Sequence, residues 1–559
     1  MRKLLLLTVL AFLFQGLTVK AQKDLSNDYS YEVSAPYQVY DSPRKKYFSD
    51  GETILAVKPW KKKIIIQKYT IEGLKNVSAE TYEDLPDNTQ FEGMIQLQDK
   101  FYYFFSSWTG KKTQHEQLFV HEIDYASGTF VGEAKKVIDI DGRLAGTFAS
   151  NAGVAAPFSF GSIGITDKFD FFVSADESKL LIQYRRKPEE KNDKKSYDIL
   201  GAEVFDTELN KLWGREYTMP HTERRMDVED FAVDSDGIGY LLAKVFLDDS
   251  AKDKKSRKDT KANYYMEMLT MTAGSNSLQS TKVNLDNKFI NGISLFESFN
   301  GNLICAGFYS VGRKRNPNNA DGLFTVAIAK DGALENLNSY EIPVDVINQF
   351  EKNSTKRKNN RKDEDGKAEF ENLKLTEIRF FEDGSLVLVG EQFYKVYHHT
   401  RNGGYYTYHY EDILVSRVAP SGVLTWMKKI PKNQYGKPGM GQVFDTSTTY
   451  VGGMSYTYLF TAGNHYIIFL DNVKNFDLPL DERPAKHTDG KGGYLTAVKI
   501  NDETGATTKG SILDTREVKE DLKVYQFNTD RIVHTAEDEF VVEVYKKKKE
   551  DVLIKVKIK

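Results

Sequence analysis

An all-β fold is what the sequence predicts, on three observations: one turn-and-strand phrase returns eight times, aromatic residues reach 13 %, and helical periodicity is nearly absent. The phrase opens on a turn rich in Asp, Asn, Ser or Gly and runs into a short apolar strand. It is plain at Asp50-Gly51-Glu52-Thr53 before Ile54-Leu55-Ala56-Val57, and it returns around Asp99, Asp176, Gly237, Gly301, Gly384, Asn464 and Asp538. A second phrase, an alternating strand that ends in a turn and an aromatic, is clearest from Ile413 to Trp426 and reads as a β-hairpin. The 32 Tyr and 34 Phe suit strands whose faces pack on neighbouring sheets. The nearest helical signal, Val344 to Glu351 after Pro343, is short.

A sheet of four short strands exposes an apolar face and two edges, and stacking on identical neighbours covers both. The expected architecture is therefore a single β-propeller of seven or eight four-stranded blades, eight by the count of the phrase. The copies lie roughly 50 to 85 residues apart, more than a minimal blade needs, so the loops must carry inserts. The last copy runs through Val552 to Ile558 and stops about one strand short of a blade, while Tyr29 to Tyr40 is left over before the first copy. An N-terminal strand is expected to complete the last blade and close the ring.

The wording DGSLVLVGEQFY from Asp383 and DILVSRVAPSGVLTWMKKIPKNQ from Asp412 resembles that of secreted, largely uncharacterised β-propeller proteins of Bacteroidota. The resemblance spans most of the chain and implies fold and export. It supplies no catalytic residue.

Arg2 and Lys3 precede an apolar run from Leu4 to Phe14, and Val19-Lys20-Ala21 places short side chains where a signal peptidase reads. Residues 1–21 are expected to be a signal peptide and 22–559 the propeller domain, exported to the periplasm or associated with the outer membrane or cell surface. The run is too short for a permanent span, so no transmembrane helix is expected after cleavage. The one cysteine, Cys305, stands inside an apolar strand, where it reads as a small buried hydrophobe rather than a lipid-anchor site or a catalytic thiol. Lys plus Arg number 77 against 80 Asp plus Glu, which gives no long-range field to recruit nucleic acid or an anionic membrane.

Four polar inserts, near 185–196, 248–262, 311–321 and 351–367, are rich in basic residues and are expected to be mobile loops. Asn353-Ser354-Thr355 and Asp249-Ser250-Ala251 fit short glycosylation motifs, against the plainer reading of solvated loop. Between 394 and 410 the chain reads as a long hairpin carrying Tyr394, Tyr397, Tyr405, Tyr406, Tyr408 and Tyr410. Alternation puts Tyr406, Tyr408 and Tyr410 on one face, which could anchor a protein partner, stack a sugar ring, or merely stiffen the hairpin by cross-strand pairing. His398, His399 and His409 are weak metal candidates, with no carboxylate or cysteine at ligand spacing. From Leu144 to Thr166 there is no charge, and Phe148, Phe158 and Phe160 stand among small residues. That stretch is either tucked against the ring or docks a partner.

No nucleophile elbow, His-Glu-x-x-His, phosphate-binding glycine loop or paired-cysteine motif is present, so no catalytic residue, cofactor or metal is assigned. Asp234-Ser235-Asp236-Gly237 and Asp363-Glu364-Asp365-Gly366 begin like calcium loops but lack the later Glu in register, and read as turns. Two functions follow: an interaction scaffold of the cell envelope that binds a protein through its loops, or a carbohydrate-binding or glycan-active protein that uses channel-facing carboxylates or the Tyr face.

Overall fold

The computed structural model describes residues 25–559 apart from 41, 43, 61, 84, 87, 147–166, 189–194, 257–258, 260, 284, 286–287, 300, 312–317, 331, 401–402, 438–442, 445–449, 452, 480, 519–521, 527–530 and 547–548. The leader read at 1–21 and Phe148, Phe158 and Phe160 lie outside the described residues.

Eight antiparallel sheets of four-stranded build follow one another along the chain. Blades one to seven span 46–82, 89–141, 169–222, 226–283, 289–341, 373–430 and 457–514. Blade eight takes three strands from 532–558, and its outermost strand is Tyr29–Val33, paired from Tyr29 opposite Ile558 to Val33 opposite Ile554. The ring is thus closed by the N-terminal strand.

Each apolar phrase of the sequence is the second strand of a blade. In Thr53–Trp60 the residues Ile54, Leu55, Ala56 and Val57 are all fully buried, because both faces of an inner strand pack against neighbouring blades. Successive side chains go to opposite interfaces: Leu180 and Ile182 join the core shared with blade two, and Leu181 joins the core shared with blade four. Outer strands such as Asn76–Tyr82 are mostly exposed and correspondingly polar. Eight interface cores, each shared by two consecutive blades and one of them joining blade eight to blade one, complete the circle.

The turns before those strands are held by their own side chains. Asp50 Oδ1 accepts the amides of Glu52 at 2.9 Å and Thr53 at 2.6 Å. Asp383 takes the Ser385 amide at 2.8 Å, and Gly384 beside it has φ +86°, which an L side chain adopts only with strain. The calcium-like Asp234 is one of these turns: its carboxylate is occupied by the Asp236 and Ile238 amides and the Tyr240 hydroxyl.

Two burials of charge hold the ring. At the seam between blades eight and one, Glu543 receives Lys45 at 2.5 Å, Lys58, and the Tyr37 and Tyr47 hydroxyls at 2.7 Å, with Asp551 beside Lys45 at 2.9 Å. Burial alone would raise the Glu543 carboxyl, but Lys58, Lys45 and Arg531 outweigh it and hold the group well below its usual range. A second network under blade six is described with the site below.

One insert departs from the expected loop. Residues 344–347 form a short helix, α1 (Val344–Ile347), and 351–367 contain a twelve-residue helix, α2 (Asn353–Glu364). Its sequence lacks Gly, Pro and any apolar residue, so it shows no amphipathic period, yet its Lys and Arg residues are good helix formers. Reciprocal amide bonds dock it on α1: Asn348 Nδ2 donates to Asn360 at 2.6 Å, and Asn359 Nδ2 donates to Asn348 at 2.9 Å. The 248–262 insert is also tied down where it is described, since Asn263 Nδ2 bonds Asp248 at 3.0 Å and the Lys252 carbonyl at 3.1 Å.

Candidate functional site

Antiparallel order fixes where the connections emerge. In every blade the first-to-second and third-to-fourth turns leave by one rim, while the second-to-third turn and the crossing to the next blade leave by the other. All four polar inserts, the Tyr-rich hairpin and the uncharged stretch begin and end at this second rim. The first rim carries shorter turns, the longest being residues 125–134 of blade two.

The hairpin is two strands of blade six, Leu386–Thr400 and Gly403–Val418, each about twice as long as the blade-seven counterparts Asn464–Asp471 and Tyr494–Asn501. Its register pairs Phe393 with Tyr410, Lys395 with Tyr408 and Tyr397 with Tyr406 on one face. Tyr394 with His409, Val396 with Thr407 and His398 with Tyr405 occupy the other. The predicted face of Tyr406, Tyr408 and Tyr410 therefore exists, but Tyr408 and Tyr410 are buried with Phe393 against Met454. What solvent reaches is the tip, where Val396, Tyr397, Tyr405 and Tyr406 are 38–43 % exposed. Tyr397 tilts on Tyr406 at 4.9 Å, and a Cβ at Gly404 would sit 2.3 Å from the Tyr397 hydroxyl, so only glycine lets that ring lie flat. On the opposite face Tyr394 stacks on His409 at 4.6 Å and His398 on Tyr405 at 5.1 Å, with the Thr407 hydroxyl between the two imidazoles. His399 lies on the other face from His398 and His409, so the three imidazoles do not converge. Burial lowers His409, which stays neutral at neutral pH.

The hairpin base is clamped by ions. Arg483 donates to Glu351 at 2.8 Å and to Glu411 at 2.7 Å, and Glu411 also accepts the Tyr394 hydroxyl at 2.8 Å. Lys429 reaches Glu351 at 3.1 Å and the buried Asp412 at 3.0 Å, and Lys432 reaches Glu391 at 2.7 Å. Between this clamp and α2 lies a polar cleft of about 330 Å³, walled by Lys358, Asn359, Glu371, Gln392, Tyr394 and Arg483.

A different cavity, of about 210 Å³, opens where the first strands of blades three to six converge at the short-turn rim. Phe171, Phe172, Phe231, Phe296, Phe299 and Phe380 line it, with Arg379 held by Glu377 at 2.5 Å. Its three carboxylates, Glu177, Asp230 and Glu297, all accept backbone amides, Glu177 that of Gln98 at 3.1 Å. Asp230 accepts the Ser294 hydroxyl at 2.5 Å and the Leu295 amide at 2.8 Å, and burial pushes its carboxyl up to about 7. Glu297 accepts the Ser235 amide and hydroxyl, and burial raises it as well. Asp230 and Glu297 thus line one cavity, each tying its blade to a neighbouring one. Glu92 does the same between blades two and three, taking the Ser106 hydroxyl at 2.5 Å and the Lys168 amide at 2.9 Å, with burial pushing it up to about 8. Cys305 is fully buried and its thiol is raised by burial.

Sequence reasoning found the hairpin, raised channel-facing carboxylates without placing Glu92, Asp230 or Glu297 among them, and missed the clamp and α2. One signal was present for one member of the clamp, a lone charge inside an apolar strand, at Glu391 after Val387 to Gly390.

No protein-family model matches the chain, and no curated protein does. Among solved structures the chain is similar to the WD40 domain of SCAP from fission yeast, at 7 % identity over 95 % of this chain and 99 % of that one, with a TM-score of 0.38. It is similar to a prolyl endopeptidase at 11 % identity over 93 % of this chain, with a TM-score of 0.37, and spans 55 % of that enzyme's length. An uncharacterised protein of Listeria monocytogenes matches at 8 % identity over 83 % of this chain and 95 % of its own, with a TM-score of 0.35. Such distant likenesses assign neither site nor activity, and the eight-bladed ring rests on this chain's own strand pairing and interface cores.

Proposed function

We propose that this chain is an exported propeller scaffold of the bacterial cell envelope that engages a protein partner through its elaborated rim. The observation that carries the reading is the placement of the longest connections on one rim, above a ring in which Glu92, Asp230 and Glu297 are tied up in backbone contacts. An exposed aromatic hairpin tip on a rigid, ion-clamped base has the make-up of an interface anchor, large apolar area with polar tips. Export to the periplasm or outer membrane rests on the leader-like N-terminus. The test is capture from envelope extracts with the whole chain, a variant in which 396–405 is replaced by a two-residue turn, and a control altered at the short-turn rim. A stoichiometric partner held by the whole chain and the control, and released by the shortened hairpin, supports the proposal. Equal recovery with all three overturns it.

The polar cleft beside α2 favours a second reading, a glycan ligand. Amides, a tyrosine, a carboxylate and a guanidinium in one cleft match the hydroxyls of a sugar. A glycan array and a hydrolase panel that are both blank would remove it.

A further inference from the structure

Two exposed features of opposite chemistry stand side by side on the elaborated rim. The first is α2, which buries no residue. At 3.6 residues per turn Arg357 and Arg361 share its outward face, while Thr355, Lys358, Asn359 and Lys362 turn toward the cleft. Among the described residues no carboxylate pairs with Lys352, Lys356, Arg357, Lys358 or Arg361. The second feature is the hairpin tip, with Val396, Tyr397, Tyr405 and Tyr406 open to solvent. A short chain of contacts ties the two: Lys362 Nζ meets Glu371 Oε1 at 3.0 Å, and Gln392 Nε2 at the hairpin base donates to the Glu371 carbonyl at 2.8 Å.

From this juxtaposition we infer that the blade-six sector of the rim docks on the surface of an anionic phospholipid bilayer, with Arg357 and Arg361 against lipid phosphates and the tyrosine tip seated among the headgroups. Tyrosine, apolar in its ring and polar at its hydroxyl, settles at that level of a bilayer, and basic side chains nearby are drawn to anionic lipid. Both features are exposed, which suits a broad planar partner rather than a small ligand. An acidic polypeptide would satisfy the cations but leave the exposed Val396 and the three rings in water. The chain's net charge of −3 does not oppose docking, because charges farther away than about 8 Å are largely screened at physiological salt. Both readings use the hairpin tip, and they differ at α2, whose Arg357 and Arg361 only membrane docking needs.

Sedimentation of the whole chain with phosphatidylglycerol vesicles, and with phosphatidylcholine vesicles as the uncharged reference, tests it. Binding is expected to phosphatidylglycerol alone and to weaken as salt is raised. The double variant R357E/R361E should bind about tenfold or more weakly. The variant Y397S/Y406S should bind several-fold more weakly while keeping the salt dependence. Both alter only solvent-facing side chains, and circular dichroism and melting confirm that each folds. Three results would each overturn the inference: no sedimentation of folded wild type with phosphatidylglycerol, equal binding to phosphatidylcholine, or undiminished binding by R357E/R361E. Polyglutamate binding to α2 without vesicle binding would reassign the surface to an acidic polypeptide. R357E/R361E keeps the whole hairpin tip, so lost vesicle binding with undiminished partner capture by this variant separates the inference from the scaffold reading.

Discussion

The two rims of this ring are made by the same eight blades, yet one is trimmed and the other built up. Crossing from the outer edge of a blade to the centre of the next needs length, so long connections between blades follow from geometry alone. The second-to-third turn does not: it joins adjacent antiparallel strands, just as the turns on the trimmed rim do. In blade one it closes between Trp60 and Lys63, while in blade four it runs from Phe246 to Tyr264 and in blade seven from Asp471 to Tyr494. Elaboration therefore follows the rim and not the type of connection. Tight turns finish the trimmed rim, while the seam ions sit at the strand ends beneath the built-up one and leave its loops free to vary.

That division can be broken most forcefully at the seam. Glu543→Ala leaves Lys45 and Lys58 buried without their shared partner and should cost about 3–5 kcal/mol in urea unfolding. A loss below about 1 kcal/mol would mean that the seam is not what holds the ring.

A smaller effect comes from the channel carboxylates. Glu92 is raised from 4.5 to about 8, so its folded form binds a proton more tightly than its unfolded form. The stabilisation is complete below pH 4.5 and is lost as pH rises through about 8. Glu92→Gln should remove this share of the slope and melt about 2–4 °C above wild type at the alkaline end, with the advantage vanishing in acid. Parallel melting curves across the whole range would show that Glu92 does not titrate as described.

The contrast between the rims is sharpened by a matched pair. Gly384→Ala, at a positive φ in a trimmed turn, should lower stability by about 1 kcal/mol. Replacing 396–405 by a two-residue turn on the built-up rim should change it by no more than about 0.5 kcal/mol, since the buried pair Tyr408 and Tyr410 is kept. The reverse order in urea midpoints would undo the division of labour.

Much of the fold was legible because its signals are local. A turn with Asp accepting amides and Gly at positive φ is written in consecutive letters, and an inner strand packed on both faces is written as an unbroken apolar run. The innermost strands were harder to read. Five of them carry a bulge, around Glu92, Glu229, Asn291, Thr376 and Thr535, which interrupts the alternation that marks a strand. The helix α2 has no apolar stripe and so leaves no period to detect. The site was legible only at its tip. Glu351, Glu411 and Arg483 meet across separate stretches of chain, as Lys45 and Glu543 do, and no local pattern announces such a meeting. The tyrosine count pointed to the hairpin, but which rings are covered depends on Met454, from the connection that follows blade six.

Because Tyr29–Val33 lies against Glu550–Ile558, the earliest and latest segments of the fold to be synthesised meet in one sheet. A growing polypeptide can stack blades one after another, but the circle stays open until its final residues arrive. Loss of either segment strikes the same blade, leaving Val552, Ile554 and Val556 without their cover or removing them outright. An incomplete product would thus show a bare sheet edge, the kind of surface that quality-control proteases and chaperones recognise, and the finished circle hides it.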